Sequence, residues 1–191
     1  MRISGGSLKG RKLASKKFFT TGGHEDELRP TAAKVREALF DILQSEIKDS
    51  VFLDLYAGTG AVGLEALSRG ARQVVLVEKS PVRSKAVKDY VTAIAAKEQV
   101  KLHRQRVEYF LKRASAAEAT FDIIFADPPY APDAAEKILS LLKDHDIVEK
   151  GGCVIIEHST KSVCKENSGY LTFVKNYRYG DTMLSVYRKI S

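Results

Sequence analysis

After Ser50 the chain alternates short, almost uninterrupted apolar runs with longer segments of helical spacing, and this rhythm leaves few folds open. Strands are expected at Val51–Leu55, Gln73–Glu78, Val100–His103, Phe121–Ala126 and Cys153–Glu157. Helices are expected from about Ala61, from about Pro81, near Val107–Ala114 and near Asp133–Lys143. Runs such as V-V-L-V and D-I-I-F-A do not alternate polar with apolar residues, so these strands must be covered on both faces. Parallel sheets with crossover helices meet that condition. The tail breaks the rhythm, because Tyr170–Tyr177 and Met183–Arg188 are β-prone and the Y-G-D-T between them is too short for a crossover helix. They predict an antiparallel hairpin turning near Gly180-Asp181. The expected architecture is therefore α/β, doubly wound, with a mostly parallel seven-stranded sheet that ends in an antiparallel hairpin.

The first part of the chain follows other rules. Arg2-Ile3-Ser4 and Lys12-Leu13-Ala14 read as extended pieces with turns at Gly5-Gly6 and Gly10, which predicts a small basic β-hairpin. Residues 16–28 show no period and read as a loop. Val35, Ala38, Leu39, Ile42 and Leu43 then fall at helical spacing, predicting a helix from Thr31 to about Ile47. Two regions are expected, a basic extension over 1–30 and a larger domain over 31–191.

Charge sharpens this division. Residues 1–36 carry nine cations, Arg2, Lys9, Arg11, Lys12, Lys16, Lys17, Arg29, Lys34 and Arg36, against Glu25, Asp26 and Glu27. Six of the seven net positive charges thus lie in this segment. Clustered cations neutralise phosphates, so a polyanion is the expected partner, with a merely solvated terminus as the alternative. No run approaches the roughly eighteen apolar residues of a membrane span, and the start lacks the apolar core of a signal peptide. A cytoplasmic protein with no membrane partner, acting as a monomer, is expected. Cys153 and Cys164 lack metal-ligand spacing and His24, His103, His145 and His158 are scattered, so neither zinc nor a disulfide is expected.

Two motifs carry chemistry. In F-L-D-L-Y-A-G-T-G-A-V-G, Gly58, Gly60 and Gly63 satisfy G-x-G-x-x-G between a strand and a helix, and Glu78 ends the next strand, where it can accept both ribose hydroxyls. Taken alone, this suits a dinucleotide or S-adenosylmethionine equally. Asp54 favours the second: a carboxylate there repels a pyrophosphate but attracts an ammonium and a sulfonium. The competing role for Asp54 is to cap the turn through backbone N–H groups.

Asp127-Pro128-Pro129-Tyr130 follows the buried run F-D-I-I-F-A, at the carboxyl end of the fourth strand. An exocyclic base amine is a poor nucleophile because its lone pair is delocalised into the ring. Acceptors on both of its hydrogens, here the Asp127 carboxylate and the Pro128 carbonyl, aim that lone pair at a methyl donor. The prolines stiffen the backbone and add no N–H to compete for the carbonyl. Tyr130 offers a face for a flipped or single-stranded base. The plainer alternative is a strand-ending turn with Tyr130 packed at the sheet edge.

With these residues in view, the chain resembles the RsmD family, bacterial guanine-N2 methyltransferases of small-subunit ribosomal RNA. The similarity runs through R-I-S-G-G-S-L-K-G-R-K-L, L-R-P-T-A-A-K-V-R-E-A-L-F, D-L-Y-A-G-T-G, V-E-K, D-P-P-Y and Y-G-D-T. The resemblance implies a class I, Rossmann-like methyltransferase fold with Asp54, Gly58, Gly60 and Glu78 lining an S-adenosylmethionine pocket. Tyr56, Thr59 and Lys79 join that set as their neighbours. Asp127, Pro128, Pro129 and Tyr130 are implied to hold the guanine. The basic extension, through Arg2, Lys9, Arg11, Lys12, Arg29 and Arg36, is implied to engage 16S rRNA in a partly assembled small subunit. Family members often carry Asn or Asp beside the cofactor adenine, whereas this chain has Arg106 and Val107, leaving backbone contacts there.

Other readings compete. D-P-P-Y also suits N6-adenine DNA methylation or protein-glutamine methylation, the glycine loop suits a NAD-binding oxidoreductase, and the basic segment suits a non-catalytic RNA-binding assembly factor. At the start of the first helix, Arg29, Thr31 and Arg36 read equally as a site for RNA phosphates or the cofactor carboxylate and as an N-cap with solvated arginines, while Tyr177 and Tyr179 read as sheet-packing rather than base-stacking residues. His158 sits just beyond the last parallel strand and is given no role.

Overall fold

β-Branched, apolar stretches form strands and the stretches between them form helices. The computed structural model describes residues 2–13, 33–129, 131, 133–162 and 167–190. The chain forms two compact units, Met1–Arg106 and Val107–Ser191. The expected division at residue 30 falls outside the described residues, as do the 16–28 loop, Thr31, Arg29, Tyr130 and Cys164.

In the first unit, α1 (Ala33–Ile42) precedes β1 (Val51–Asp54), α2 (Ala61–Ser68), β2 (Gln73–Val77), α3 (Pro81–Ala93) and β3 (Val100–His103). β2 lies between β1 and β3 and is parallel to both, with Leu53 opposite Val75 and Leu76 opposite Leu102. Helix α1 ends at Ile42, short of the expected Ile47, and Leu43 and Ile47 are buried in the turns that follow. Helix α3 starts cleanly because Pro81 occupies its first turn and the Ser80 side chain accepts from the Arg83 N–H at 3.4 Å. All eight residues of α2 are buried, which suits a helix without the polar face of a surface helix.

The second unit runs α4 (Val107–Ala116), β4 (Phe121–Ala126), α5 (Ala134–Asp144), β5 (Val148–Ser159), β6 (Asn167–Ser168), β7 (Leu171–Tyr179) and β8 (Thr182–Lys189). β4 and β5 are parallel, while β8 pairs antiparallel with both β5 and β7. The terminal hairpin forms as expected, with Gly180 at φ +62° in its turn. β5 begins five residues earlier than expected, because a register shift between Phe121 and Ile123 lets Val148 pair with β4 as well. An eighth strand, the two-residue β6, adds to the seven expected. No helix among the described residues is long and apolar enough to cross a membrane.

Candidate functional site

In the first unit the glycine turn is built around two strand-ending carboxylates. Gly58 and Gly60 adopt left-handed φ of +53° and +73°, which lets the chain leave β1 and enter α2 within a few residues. Gly63 serves packing: a Cβ there would lie 2.3 Å from Leu76 Cδ2 and 2.9 Å from Val74 Cγ1, so only glycine lets α2 approach β2 this closely. Asp54, 1% exposed, accepts the Gly63 N–H at 3.2 Å. The capping role is thus present, made by the same carboxylate that was expected to face a cofactor.

Glu78 ties the turn to the neighbouring strand end. Its Oε2 accepts the Gly58 N–H at 2.9 Å and its Oε1 the Ser80 N–H at 2.7 Å, while Arg83 Nη1 stands 4.0 Å away. An ionised carboxylate has about four lone-pair sites, so two remain for vicinal hydroxyls. The segment Asp54–Gly63 carries no cationic side chain. Two carboxylates beside a glycine turn without a cation fit the ribose, ammonium and sulfonium of S-adenosylmethionine and disfavour a pyrophosphate. Tyr56 and Thr59 are half-buried in the turn, whereas Lys79 and Arg106 are exposed. Val107, which opens α4 in the second unit, is 5% exposed.

The basic N-terminal segment forms a small hairpin. Arg2 and Lys12 make an antiparallel bridge, and the Ile3 N–H donates to the Arg11 carbonyl at 3.1 Å. Ile3 and Leu13 point inward at 2% and 4% exposure, leaving Arg2, Lys9, Arg11 and Lys12 on the surface. The Arg2 guanidinium also bonds the Gly10 carbonyl at 2.8 Å. Arg36, expected among the RNA contacts, is a correction. It is 3% exposed, its Nε pairs with Glu65 at 2.8 Å, and its Nη2 holds the Arg2 carbonyl at 2.9 Å. A guanidinium committed to a buried carboxylate and to backbone cannot also meet solvent phosphate.

Sequence reasoning missed Glu65. It is fully buried on α2 and accepts from Ser4, Arg36 and Arg69. Burial pushes its pKa up, but the donors of Ser4, Arg69 and Arg36 outweigh that and hold the carboxyl below its ordinary value of 4.5. A signal was present: in A-V-G-L-E-A-L-S it is the one charge in an otherwise apolar helix, which calls for a buried cation.

In the second unit, Asp127 is half-buried just past the end of β4, Pro128 is buried and Pro129 is exposed. The Pro129 carbonyl accepts the Ala131 N–H at 2.8 Å, so the turn closes on Pro129 rather than on the Pro128 carbonyl assigned to the amine. His158 lies within β5, with Nε2 2.7 Å from Ser185 Oγ and Nδ1 donating to the Ser159 carbonyl at 2.9 Å.

Comparison with known proteins adds a family. Residues 1–188 match the family model described as Conserved hypothetical protein 95. The Bacillus subtilis protein YlbH is 31% identical over 99% of each chain. Ribosomal RNA small subunit methyltransferase D of Haemophilus influenzae is 34% identical over 82% of this chain and 78% of its own. Among solved structures, the yhhF protein of Escherichia coli, assigned as a methyltransferase, superimposes with a TM-score of 0.84 at 28% identity, covering 100% of this chain and 98% of that one. The fold is that of the class I methyltransferases, in accord with the alternation of strands and helices along the sequence.

Proposed function

Because the chain belongs to the RsmD family, the family of the Conserved hypothetical protein 95 model, we propose that it methylates ribosomal RNA using S-adenosylmethionine. The acceptor in this reading is the exocyclic N2 amine of a guanine in 16S rRNA, presented in a partly assembled small subunit in the cytoplasm. The observation that carries it is the extent of the family match, residues 1–188, which takes in both the basic hairpin and the two core motifs.

In this reading Glu78 accepts the ribose hydroxyls, and Asp54 faces the positive end of the cofactor while still holding the Gly63 N–H. Gly58 and Gly60 keep the backbone low enough for close approach, flanked by Tyr56, Thr59 and Lys79. Arg106 and Val107 offer backbone groups to the adenine. Bound S-adenosylmethionine supplies a methyl group on a sulfonium, a leaving group that needs no metal. Asp127 and the Pro128 carbonyl accept the two amine hydrogens and orient the nitrogen; Pro129 stiffens the turn and Tyr130 stacks on the base. Arg2, Lys9, Arg11, Lys12 and Arg29 meet phosphates, and one copy of the chain suffices.

The test is mass spectrometry of digested 16S rRNA from a deletion strain. One N2-methylguanine should be missing and should return with the intact gene but not with Asp127→Ala. An unchanged modification pattern overturns the reading. Loss of an N6-methyladenine instead moves the acceptor to adenine.

A further inference from the structure

The hairpin is seated on α2 through Ser4, Gly5, Ser7 and Leu8. Glu65 accepts the Ser4 N–H at 3.2 Å and the Ser4 hydroxyl, Arg36 Nε at 2.8 Å, and Arg69 Nη2 and Nε at 2.9 and 3.1 Å. One turn further along α2, the Ser68 carbonyl accepts the Ser7 N–H at 2.7 Å, and the Ser68 hydroxyl accepts the Leu8 N–H at 2.8 Å and donates to the Gly5 carbonyl at 2.6 Å. At Ser68 the two backbones also meet directly. A Cβ on Gly6, at φ +76°, would lie 1.8 Å from the Ser68 carbonyl oxygen, and one on Gly5 would lie 2.6 Å from the Arg69 guanidinium.

A fully buried carboxylate is a poor device for stability alone, since apolar residues of equal volume often do as well. Its directional bonds do something apolar packing does not: they set the hairpin's orientation. The helix that holds it is also the one whose N-cap, Gly60, closes the glycine turn. Eight residues of helix span about 12 Å, so turn and hairpin are referenced to one short rigid element.

We propose that Glu65 is a positioning residue for RNA, fixing the exposed Lys9, Arg11 and Lys12 relative to the glycine turn through α2. This rests on the RNA-methylating reading above. Phosphates held by the hairpin then lie at a set distance from the cofactor loop, and releasing the hairpin costs RNA affinity while leaving the cofactor's own seat intact.

The experiment compares wild type with Glu65→Gln, Gly6→Ala and the triple variant K9A/R11A/K12A, using labelled S-adenosylmethionine and small subunits from a strain lacking the modification. Glu65→Gln and Gly6→Ala should each raise KM for subunits about tenfold and flatten the salt dependence of RNA binding by roughly two units of log–log slope, the share of three phosphates. Both kcat and the calorimetric affinity for S-adenosylhomocysteine should stay within about twofold, a split that general destabilisation does not produce. Adding the triple substitution to Gly6→Ala should cost nothing further. Should Glu65→Gln fail to fold, Gly6→Ala decides, because it leaves the Arg36–Glu65 pair in place. Wild-type KM in Gly6→Ala, or losses that add in the combined variant, overturn the positioning role while the methyltransferase reading stands. A wild-type protein that transfers no methyl to subunits or naked 16S rRNA overturns that reading and the positioning role with it.

Discussion

The pair formed by Arg36 and Glu65 shows how much one side chain can carry. Both partners are buried, at 3% and 0% exposure, so removing either strands a charge away from water. Arg36→Ala should lower unfolding stability by about 3–5 kcal/mol, against less than about 0.5 kcal/mol for the exposed Lys9→Ala. Urea denaturation of both variants measures the contrast, and equal small losses would mean that the pair is not holding the unit together. Asp127 is argued to work on the reacting amine instead. Asp127→Asn keeps the shape and loses the charge, so kcat should fall by about 10²–10³-fold with S-adenosylhomocysteine affinity unchanged. Single-turnover rates and calorimetry on the same sample check this; a parallel loss of affinity would reassign the carboxylate to the cofactor.

At the level of elements, α2 depends on a missing side chain. Gly63→Ala places a methyl 2.3 Å from Leu76 Cδ2, and the overpacking should cost about 1–3 kcal/mol, read as a lower thermal midpoint. The hairpin of β7 and β8 is tied to β5 through His158, Ser185 and Asn176, with Ser185 Oγ 2.7 Å from His158 Nε2 and 2.6 Å from Asn176 Oδ1. Burial pulls the His158 pKa below its ordinary 6.5, against the raising effect of the Ser159 carbonyl. A histidine held neutral in the fold takes up its proton more readily when unfolded. Its contribution is therefore complete above pH 6.5 and is lost as pH falls toward the lowered value. The urea midpoint should drop as pH falls below about 6.5, and His158→Gln should flatten that drop. An identical pH profile in the variant would exclude His158 as the source.

For the whole molecule, the cofactor assignment makes a thermodynamic claim. S-adenosylhomocysteine at a hundred times its dissociation constant should add about 2.7 kcal/mol and raise the melting temperature by roughly 5–10 °C. NAD at the same concentration should leave it in place. The reverse result would return the glycine turn to the oxidoreductase reading. The charge distribution belongs to the same scale: six of the seven net positive charges lie within the first 36 residues.

Periodicity and glycine spacing determined the seven longer strands, the helices, the terminal hairpin and the glycine turn after β1, because apolar runs, proline and glycine act over a few residues where backbone sterics decide. Helix ends and the extra pairing of Val148 were not legible, since they depend on which partner strand is at hand. The charged side chains were the least legible part. Arg36 and Lys9 look alike in the sequence, and Glu65 is only a lone acid in an apolar helix. Folding alone brings Ser4 and Arg36 to that acid beside Arg69, from positions up to 61 residues away in the chain. A buried charge is tolerated only where several donors converge, and convergence of distant residues belongs to the tertiary structure.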